Sequence, residues 1–253
     1  MRALNSAATG MSAQQLKIDT ISNNLANVNT TSFKRGRVMF QDLYYSQVRP
    51  SGLTGQGGDA QPIGLEVGNG VRAVGVEKLF TPGAVEPTGQ PLNLAIQGDG
   101  FFQVMNPEGD TLYTRDGSFL ANAQGEVVTA DGYLLQPGFN LPQDVSGISI
   151  SEYGVVTATT ADDPDPIDLG TIQIADFVNP AGLQSAGGNY YLATDASGLA
   201  LEVNPGEEGT GHLLQGHLET SNVDVAQELV NMIKAQRSYE TASKAITAAD
   251  DML

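Results

Sequence analysis

The stretch GMSAQQLKIDTISNNLANVNTTSFKR, residues 10–35, decides the fold, because it carries a long heptad pattern and then breaks it. One set of apolar residues recurs every seven positions, and a second set, with one glutamine, fills the positions between. The first set is Leu4, Met11, Ile18 and Leu25, and the second is Ala7, Gln14, Ile21 and Val28. The pattern predicts a helix of about 26 residues, about 40 Å long. Its apolar stripe is too narrow for a helix that is stable alone, so we expect a partner helix.

The C-terminal segment, residues 220–253, offers that partner. Thr220, Ser221 and Asn222 are good helix caps, and Asp224 follows where an acid favours the N-terminal end of the helix dipole. A seam with spacings of four and three runs through Val225, Leu229, Met232, Gln236, Tyr239, Ser243, Ile246, Asp250 and Leu253. We therefore predict that residues 1–30 and 220–253 form one discontinuous helical domain, paired as a coiled coil. The alternative is two ordinary amphipathic helices packed on one globular core.

The middle of the chain has a different pattern. Short alternating or β-branched runs, such as LNLAIQGDGFFQVM at 92–105 and ISISEYGVVTAT at 148–159, are separated by turns such as GDG, AQGE and ADG. The turns recur about every 8–12 residues, which is typical of an antiparallel sandwich or barrel. We predict an outer, mainly antiparallel β domain over residues 81–219.

Residues 31–80 connect the first helix to that domain. They include the Gly- and Pro-rich run RPSGLTGQGGDAQPIGLEVGNGV, residues 49–71, which in isolation is typical of a flexible linker. A linker of this length is unusual in a compact chain, so we predict an extended arm with β segments instead. The predicted fold is thus mixed α and β, with paired terminal helices, a central β domain and this arm.

The charge is acidic and unevenly placed. The formal net charge is −17, and between Leu79 and Thr220 the only basic residue is Arg115, against 19 Asp and Glu. A nucleic-acid binder needs a basic face, so we expect no nucleic-acid partner. The simplest interpretation of the acidic middle is solubility.

No residue pattern indicates catalysis, a metal or a cofactor. The chain has no cysteine, so disulfides and Cys-based metal sites are excluded. His212 and His217 are five apart rather than at a helical metal-binding spacing, and the acidic loop 161–168 lacks the spacing of an EF-hand. There is no cleavable signal peptide pattern and no apolar run of about 20 residues, so we expect no membrane insertion and, from this alone, a soluble cytoplasmic protein.

Three stretches in order resemble the signatures of the bacterial flagellar basal-body rod and hook family. Residues 10–45 resemble its N-terminal signature, residues 92–119 the start of its shared β domain, and residues 216–246 its C-terminal signature. The insertion SQVRPSGLTGQGGDAQPIGLEVGNGV, residues 46–71, is similar to one found in distal rod members and absent from the standard hook protein. Within the family the resemblance is therefore strongest to the distal rod.

This resemblance implies a structural subunit rather than an enzyme. It implies self-assembly into a rigid helical tube that transmits torque from motor to hook and encloses the export channel, with the terminal helices inside and the β domain outside. The implied partners are other copies, the proximal rod and hook proteins, the surrounding P- and L-ring proteins and the flagellar type III export apparatus. The implied location is the basal-body rod in the periplasm, reached without a cleaved signal peptide.

The resemblance also gives roles to polar residues around the helix end. Asn23, Asn24 and Asn27 lie off the seam, so their amides are predicted to bond adjacent subunits. The basic residues Lys34, Arg35 and Arg37 are interpreted as contacts to an acidic surface of another copy, with a phosphate or membrane patch, or a solvated turn, as alternatives. Further apolar and small residues that could face neighbouring copies are Ala8, Ala13, Leu16, Ile233, Ala235 and Ala242.

Other functions remain open from the residues. Within the family, the alternative is a proximal rod or hook subunit. Outside it, the chain could be a secreted β-sandwich adhesin with oligomerising helical tails, or a cell-wall hydrolase, although no catalytic Glu stands out. Residues 46–66 carry a separate hypothesis: the insertion is too long for a simple connector, so we expect it to lock neighbouring subunits and keep the assembly straight.

Overall fold

The structure is a computed structural model, and it describes residues 2–49, 64–142, 144–160, 165–207 and 209–251. Two long helices, Arg2–Ala26 (α1) and Val225–Asp250 (α2), lie near the two ends of the chain, and a short 3-10 helix spans Pro180–Gly182. The strands described between the long helices are Gly36–Asp42 (β1), Ser46–Arg49 (β2), Leu65–Val67 (β3), Val71–Lys78 (β4), Val85–Pro87 (β5), Leu94–Gln97 (β6), Phe101–Met105 (β7), Thr111–Thr114 (β8), Leu120–Ala121 (β9), Val127–Val128 (β10), Leu134–Gln136 (β11), Val145–Ile150 (β12), Val155–Thr160 (β13), Ile167–Thr171 (β14), Ile174–Asp176 (β15), Gln184–Gly187 (β16), Tyr190–Leu192 (β17), Leu201–Val203 (β18), His212–Gln215 (β19) and His217–Glu219 (β20). Neither α1 nor α2 has an apolar window of the length and hydropathy that crossing a bilayer requires.

The chain divides into two compact units. The first, which we call the helical unit, comprises Met1–Ala26, Gly36–Lys78 and Asp224–Leu253; the second, the β unit, comprises Asn27–Arg35 and Leu79–Val223. The predicted mixture of two terminal helices and a central antiparallel β domain is confirmed. The boundaries differ from the three predicted segments. Most of the predicted arm, residues 31–80, belongs with the helices, because β1 and β4 pair with each other and pack against α1.

α1 is covered by three elements of the helical unit. Its backbone lies close to α2, β1 and β4. The Asn24 side chain donates to the carbonyl oxygen of Gly36 and accepts from its N–H, both at 2.9 Å, so one amide satisfies the first residue of β1. Nearer the start of the helix, Val71 N–H donates to Thr9 Oγ1 at 3.5 Å. The helix ends at Ala26, earlier than predicted, so Val28 lies beyond it.

α2 begins at Val225 and is capped by Asp224, whose side chain accepts from the N–H of Gln227 at 3.1 Å. The caps predicted at Thr220, Ser221 and Asn222 are therefore too early. Glu228 in the first turn is buried and accepts a hydrogen bond of 3.2 Å from Asn24 Nδ2. Because Asn24 lies near the end of α1 and Glu228 near the start of α2, this bond places the end of one helix beside the start of the other.

The β unit is built from antiparallel strands. Its largest sheet has the order β16-β17-β8-β7-β11-β10-β9, and β15 pairs with both β7 and β18. A three-stranded sheet has the order β12-β13-β14, and two further pairs, β19 with β6 and β20 with β5, bring the C-terminal strands back to the first strands of the unit. The two ends of this unit are thus adjacent, although they are distant in sequence.

Strand β7 is buried on both faces. Because successive side chains of a strand point to opposite faces, Phe101 and Phe102 enter two different clusters of buried residues. Phe102 belongs to the larger cluster, with Leu94, Ile96, Val104, Leu112, Phe119, Val127, Leu135, Phe139, Ile150, Val156, Ile172, Ile174, Tyr190, Val203 and Leu213. Phe101 packs edge-to-face on Phe177 in the smaller cluster, with ring centroids 5.7 Å apart.

Several hairpin turns of the β unit share one arrangement. A residue with a short polar side chain starts the turn, and a glycine with positive φ stands three positions later. In the first example, Gly109 N–H donates to the Asn106 carbonyl oxygen at 3.1 Å, while Asn106 Oδ1 accepts from the N–H of Glu108 and Asp110. The same backbone bond recurs between Asn122 and Gly125, Thr129 and Gly132, and Ser151 and Gly154. A left-handed glycine after a tight turn is the hairpin geometry that the sequence turns AQGE and ADG predicted.

Two of these glycines differ in their surroundings and give a matched test. Gly154 has φ +84°, and an added Cβ would lie 2.4 Å from the Ile172 carbonyl oxygen, whereas Gly109 has φ +94° and open space around it. We expect Gly109→Ala to lower the free energy of unfolding by about 1–2 kcal/mol, the cost of the left-handed backbone alone. Gly154→Ala should cost about 1–3 kcal/mol more, because the carbonyl must also move. Denaturant unfolding of the full chain measures both, and equal losses would contradict this account.

Candidate assembly surfaces

Three charged side chains meet in the interior of the β unit. Lys34 Nζ contacts Glu219 Oε1 at 2.5 Å, and Arg115 Nε contacts Glu219 Oε2 at 3.1 Å. Their side chains are 0, 2 and 1% exposed for Lys34, Arg115 and Glu219. The same Glu219 oxygen that bonds Lys34 also accepts from the N–H of Gly83 at 2.7 Å. One carboxylate therefore neutralises two cations away from solvent.

The second cation is held mainly by backbone. Arg115 donates from Nη1 to the carbonyl oxygen of Gly100 at 2.8 Å and from Nη2 to those of Gly98, at 2.7 Å, and Ile96, at 3.3 Å. Its planar fork of donors fits several fixed acceptors at once. The turn GDG, predicted between strands, thus exists in a geometry in which its carbonyl groups face a buried guanidinium.

The charges shift the proton affinities of this site. Burial alone would raise the pKa of Glu219, but the charges of Arg115 and Lys34, with the hydrogen bonds from Lys34 and Gly83, outweigh burial and hold the pKa below its ordinary value of 4.5. Burial lowers the pKa of Lys34, because the attraction of Glu219 offsets desolvation only in part and Arg115 adds repulsion. These directions agree with two cations sharing one anion.

The chain segments that enter and leave the β unit are tied together at this place. Ser32, with a φ of +55°, donates from its N–H to the Glu219 carbonyl oxygen and from Oγ to the Arg115 carbonyl oxygen, both at 2.8 Å. Asn222 Oδ1 accepts from the N–H of Arg35 at 2.8 Å, and Asn222 Nδ2 donates to the carbonyl oxygen of Leu79 at 2.8 Å. Asn222 therefore joins three segments rather than capping α2.

The predicted polar contacts are divided between the interior and the surface. Asn24 and Lys34 are buried among groups of their own unit, which differs from the prediction that they contact another copy. Asn23 is exposed, and Asn27 and Arg35 are half-buried. Arg37 is exposed and forms an ion pair with Glu77 at 2.7 Å. Sequence alone gave no sign that a lysine beside a helix end would be buried.

The predicted seam is covered along α1 and only partly covered along α2. On α1, Ile21 is buried, and Leu4, Met11, Ile18 and Leu25 are half-buried, as is Val28 beyond the helix. On α2, Met232 and Ile246 are half-buried, whereas Val225, Leu229 and Tyr239 are exposed. Leu253 lies outside the described residues. The covered face of α2 contains Glu228 and Ala235, so it is rotated from the predicted seam.

This rotation leaves an apolar strip on the outside of α2. Val225, Leu229 and Ile233 follow one another at spacings of four, so they share one helix face, and Val230 lies beside them. All four side chains are exposed, with Leu229 at 44%. We call these four residues the α2 strip. Among the small residues also considered for contacts between copies, Ala13 and Ala235 are buried instead.

Comparison with known proteins assigns the chain to a family. Three family descriptions match: "Flagella basal body rod protein" over residues 4–34, "Flagellar hook protein FlgE/F/G D1 domain" over 95–158, and "Flagellar basal body rod FlgEFG protein C-terminal" over 214–253. The flagellar basal-body rod protein FlgG of Caulobacter vibrioides is 47% identical over 254 residues, covering 100% of this chain and 97% of the relative. The chain belongs to the FlgG family of flagellar basal-body rod proteins.

Other FlgG family members agree over the same length. The FlgG of Borreliella burgdorferi is 44% identical, covering 100% of this chain and 96% of the relative. A more distant relative, the flagellar hook-basal body complex protein FlhP of Bacillus subtilis, is 31% identical, covering 100% of this chain and 97% of that protein. The resemblance to the rod family inferred from three sequence stretches is confirmed.

Replacing the shared carboxylate tests the buried charge site. We expect Glu219→Gln to lower the free energy of unfolding by about 3–5 kcal/mol at neutral pH, because Lys34 and Arg115 would stay buried without an anion. Denaturant unfolding of the full chain measures the loss. Glu202→Gln, an exposed position on β18, is the control and should change stability by less than about 0.5 kcal/mol.

The pH dependence checks the mechanism of that loss. Because the pKa of folded Glu219 is depressed, its ionised form contributes stability above the ordinary pKa of 4.5, and this contribution disappears as pH falls through the lower folded pKa. The difference between wild type and Glu219→Gln should therefore be fully developed near about pH 5.5 and shrink in stronger acid. A difference that grows on acidification would contradict the assignment.

Proposed function

We propose that this chain is a structural subunit of the distal rod of the bacterial flagellum. Copies assemble into a rigid helical tube that transmits torque from motor to hook and encloses the export channel. Full-length similarity to proteins named FlgG supports the rod over a hook subunit, and no catalytic role is needed. The proximal rod remains the nearest alternative role.

The observation that carries the proposal is the α2 strip. Four exposed aliphatic side chains on one helix face are unfavourable in water, and burial stabilises by about 25 cal/mol for each Å² of apolar surface removed from solvent. A contact between two different surfaces of identical copies can repeat from copy to copy. If the rotation between copies does not close a ring, the repeated contact builds an open helical assembly. The strip therefore supplies one half of such a contact.

A second observation on α1 concerns the pairing of the two helices. The Oε1 atom of Gln14, in the seam, is buried and has no hydrogen-bond partner among the described residues. An unsatisfied buried acceptor costs about 1–3 kcal/mol, so a pairing of α1 and α2 that supplies a donor on assembly would be stabilised. We infer that α1 and α2 pair as a coiled coil that lines the tube, with Gln14 as the polar position that fixes its register.

The remaining partners follow from this role. The chain contacts other copies through the helical unit, with proximal rod proteins at one end of the tube and hook protein at the other. The P- and L-ring proteins surround the rod in the periplasm, and the flagellar type III apparatus exports the chain without a cleaved signal peptide. On this proposal Asn23, Asn27, Arg35 and Arg37 remain candidates for polar contacts between copies.

A charge placed in the α2 strip tests the assembly surface. We expect Leu229→Asp to raise the critical concentration for assembly at least about tenfold, because each new contact would bury a carboxylate and lose more than about 1.4 kcal/mol. Sedimentation of the full chain, with electron microscopy of the pellet, measures this. Circular dichroism should show little loss of helix, since Leu229 is already half in solvent.

The control for this variant is Ser238→Asp. Ser238 is exposed on the same helix but outside the α2 strip, and the substitution adds the same charge. Its critical concentration should match that of the wild type. If Leu229→Asp assembles as well as Ser238→Asp, the strip is not an assembly surface.

The Gly- and Pro-rich insertion has a mechanical role in this proposal. Its flanks form a hairpin, in which β2 pairs antiparallel with β3, while residues 50–63 lie outside the described residues. We infer that this hairpin bridges neighbouring subunits and keeps the rod straight. Its β pairing gives it a defined direction that a flexible linker would lack.

Deleting residues 46–66 should leave assembly intact and make the tubes curved or more flexible. The deletion leaves fewer bridges along the axis to resist bending. It does not change the α2 strip, so assembly continues. Persistence length measured from electron micrographs quantifies the effect. The control replaces the same residues with an equally long Gly/Ser linker, and its tubes should bend as those of the deletion variant do. Tubes of both variants that are as straight and stiff as those of the wild type would contradict this role.

A further inference from the structure

The two units carry very different charges. The helical unit contains nine basic and ten acidic residues, a formal net charge of −1, whereas the β unit contains three basic and 19 acidic residues, a net charge of −16. Nearly the whole charge of the chain therefore belongs to one unit. Such segregation determines which surfaces of two copies can approach each other.

The surface of the β unit is even more acidic than its count suggests. Of its three cations, Lys34 and Arg115 are buried and Arg35 is half-buried. Like charges facing each other across an interface are strongly unfavourable, so two β units from neighbouring copies repel. An apolar surface of the β unit is therefore expected to contact the helical unit, rather than the β unit, of another copy.

The β unit nevertheless presents a group of bare aliphatic side chains. Val178 and Leu199 are 97 and 92% exposed, and Leu201 is also exposed. The turns next to Val178 and Leu199 are held together, since Asn179 donates from its N–H to the Ser197 carbonyl oxygen at 3.4 Å and from Nδ2 to that of Ala196 at 2.9 Å. We call Val178, Leu199 and Leu201 the aliphatic knob.

Two carboxylates lie beside this knob. Asp176 stands directly opposite Leu201 in the pairing of β15 with β18, so the two side chains share a face of the sheet. Asp195 lines the same shallow depression as Leu199. The knob is thus a small apolar surface beside two carboxylates, and its complement is an apolar surface beside a cation.

The helical unit has such a complement on the ribbon formed by β1 and β4. Met39 and Val74 are exposed at neighbouring positions, where the pairing of the two strands shifts register. Arg37 lies on the same face of β1 as Met39, because side chains alternate along a strand, and there it is paired with Glu77. On the other side of Met39, Arg72 donates to the neutral side chain of Gln41 at 2.8 Å. We call Met39, Val74 and Arg72 the ribbon face.

We propose that the aliphatic knob of one copy docks on the ribbon face of a second copy. Leu199 and Val178 cover Met39 and Val74, while Asp176 and Asp195 face Arg72. The contact joins two different surfaces, so it can repeat from copy to copy. This pairing rests on the proposed function, because it specifies a contact within the assembled tube.

Cysteine cross-linking tests the pairing directly, since the chain has no cysteine of its own. Val74→Cys and Leu199→Cys chains, one of them carrying a short tag, are mixed, assembled and treated with a short bifunctional maleimide. We expect a mixed dimer that neither variant forms alone. The matched control mixes Val74→Cys with Tyr153→Cys, an exposed β-unit position outside the knob, and should give at least about tenfold less mixed dimer.

The outcomes separate this pairing from the proposed function. Dimers between two Leu199→Cys chains, or assembled tubes in which the thiol of the Leu199→Cys variant still reacts with a soluble maleimide, would overturn the pairing and indicate another β unit or a different protein as the occupant. Assembled tubes without the mixed dimer also overturn it. If the unmodified chain forms no sedimenting tubes, the proposed function itself fails, and this contact with it.

Charge reversal gives a second measurement if the cysteine variants do not assemble. Arg72→Glu and Asp195→Lys should each raise the critical concentration about twofold to fivefold, the range expected for a partly exposed ion pair. The two substitutions in one chain should restore it, because each copy would again present opposite charges. Additive losses in the double variant contradict the pairing.

Discussion

The β unit depends on the burial of Lys34, Arg115 and Glu219 in a single site. Removing three charges from water is expensive, and the cost is offset only if every donor meets an acceptor at good geometry. Glu219 is the single anion of the three, and the carbonyl groups of Gly98 and Gly100 complete the shell of Arg115. The strand order of the unit is therefore tied to one arrangement, because a shifted β20 would leave both cations without their counter-ion. Apolar burial stabilises the unit, and this site makes the arrangement specific.

Local sequence signals predicted the helices and turns, whereas contacts between distant residues, such as this site, could not be predicted. Heptad spacing predicted α1 and α2, and the turn glycines predicted where strands end, since these signals are local. Lys34 could not be placed, because its partners Thr81 and Glu219 stand 47 and 185 residues away. The orientation of α2 could not be derived either. Its buried face includes Glu228, which accepts a hydrogen bond from Asn24. The heptad pattern, which counts only apolar residues, placed the neighbouring Leu229 on the buried face instead.

The surfaces of the two units differ in charge and in exposed apolar side chains. The helical unit is nearly neutral and leaves aliphatic side chains exposed on α2 and on the β1–β4 ribbon, so it favours association. The β unit places two of its three cations inside and most of its carboxylates outside, which favours solubility. A chain that must stay dissolved before it assembles and then form many contacts needs both properties. Here they are carried by different parts of the sequence and can vary separately.

Asn222 has a consequence for how such chains diversify. Three of the places where the chain passes between the units lie near residues 35, 79 and 223, and the side chain of Asn222 bonds backbone groups of Arg35 and Leu79. These three passages are thus held together by one side chain within the β unit. A larger or smaller replacement for this unit needs to reproduce the spacing of these passages for the helical unit to keep its own packing. Related chains can therefore vary the size of the β unit while the two helices are inherited unchanged.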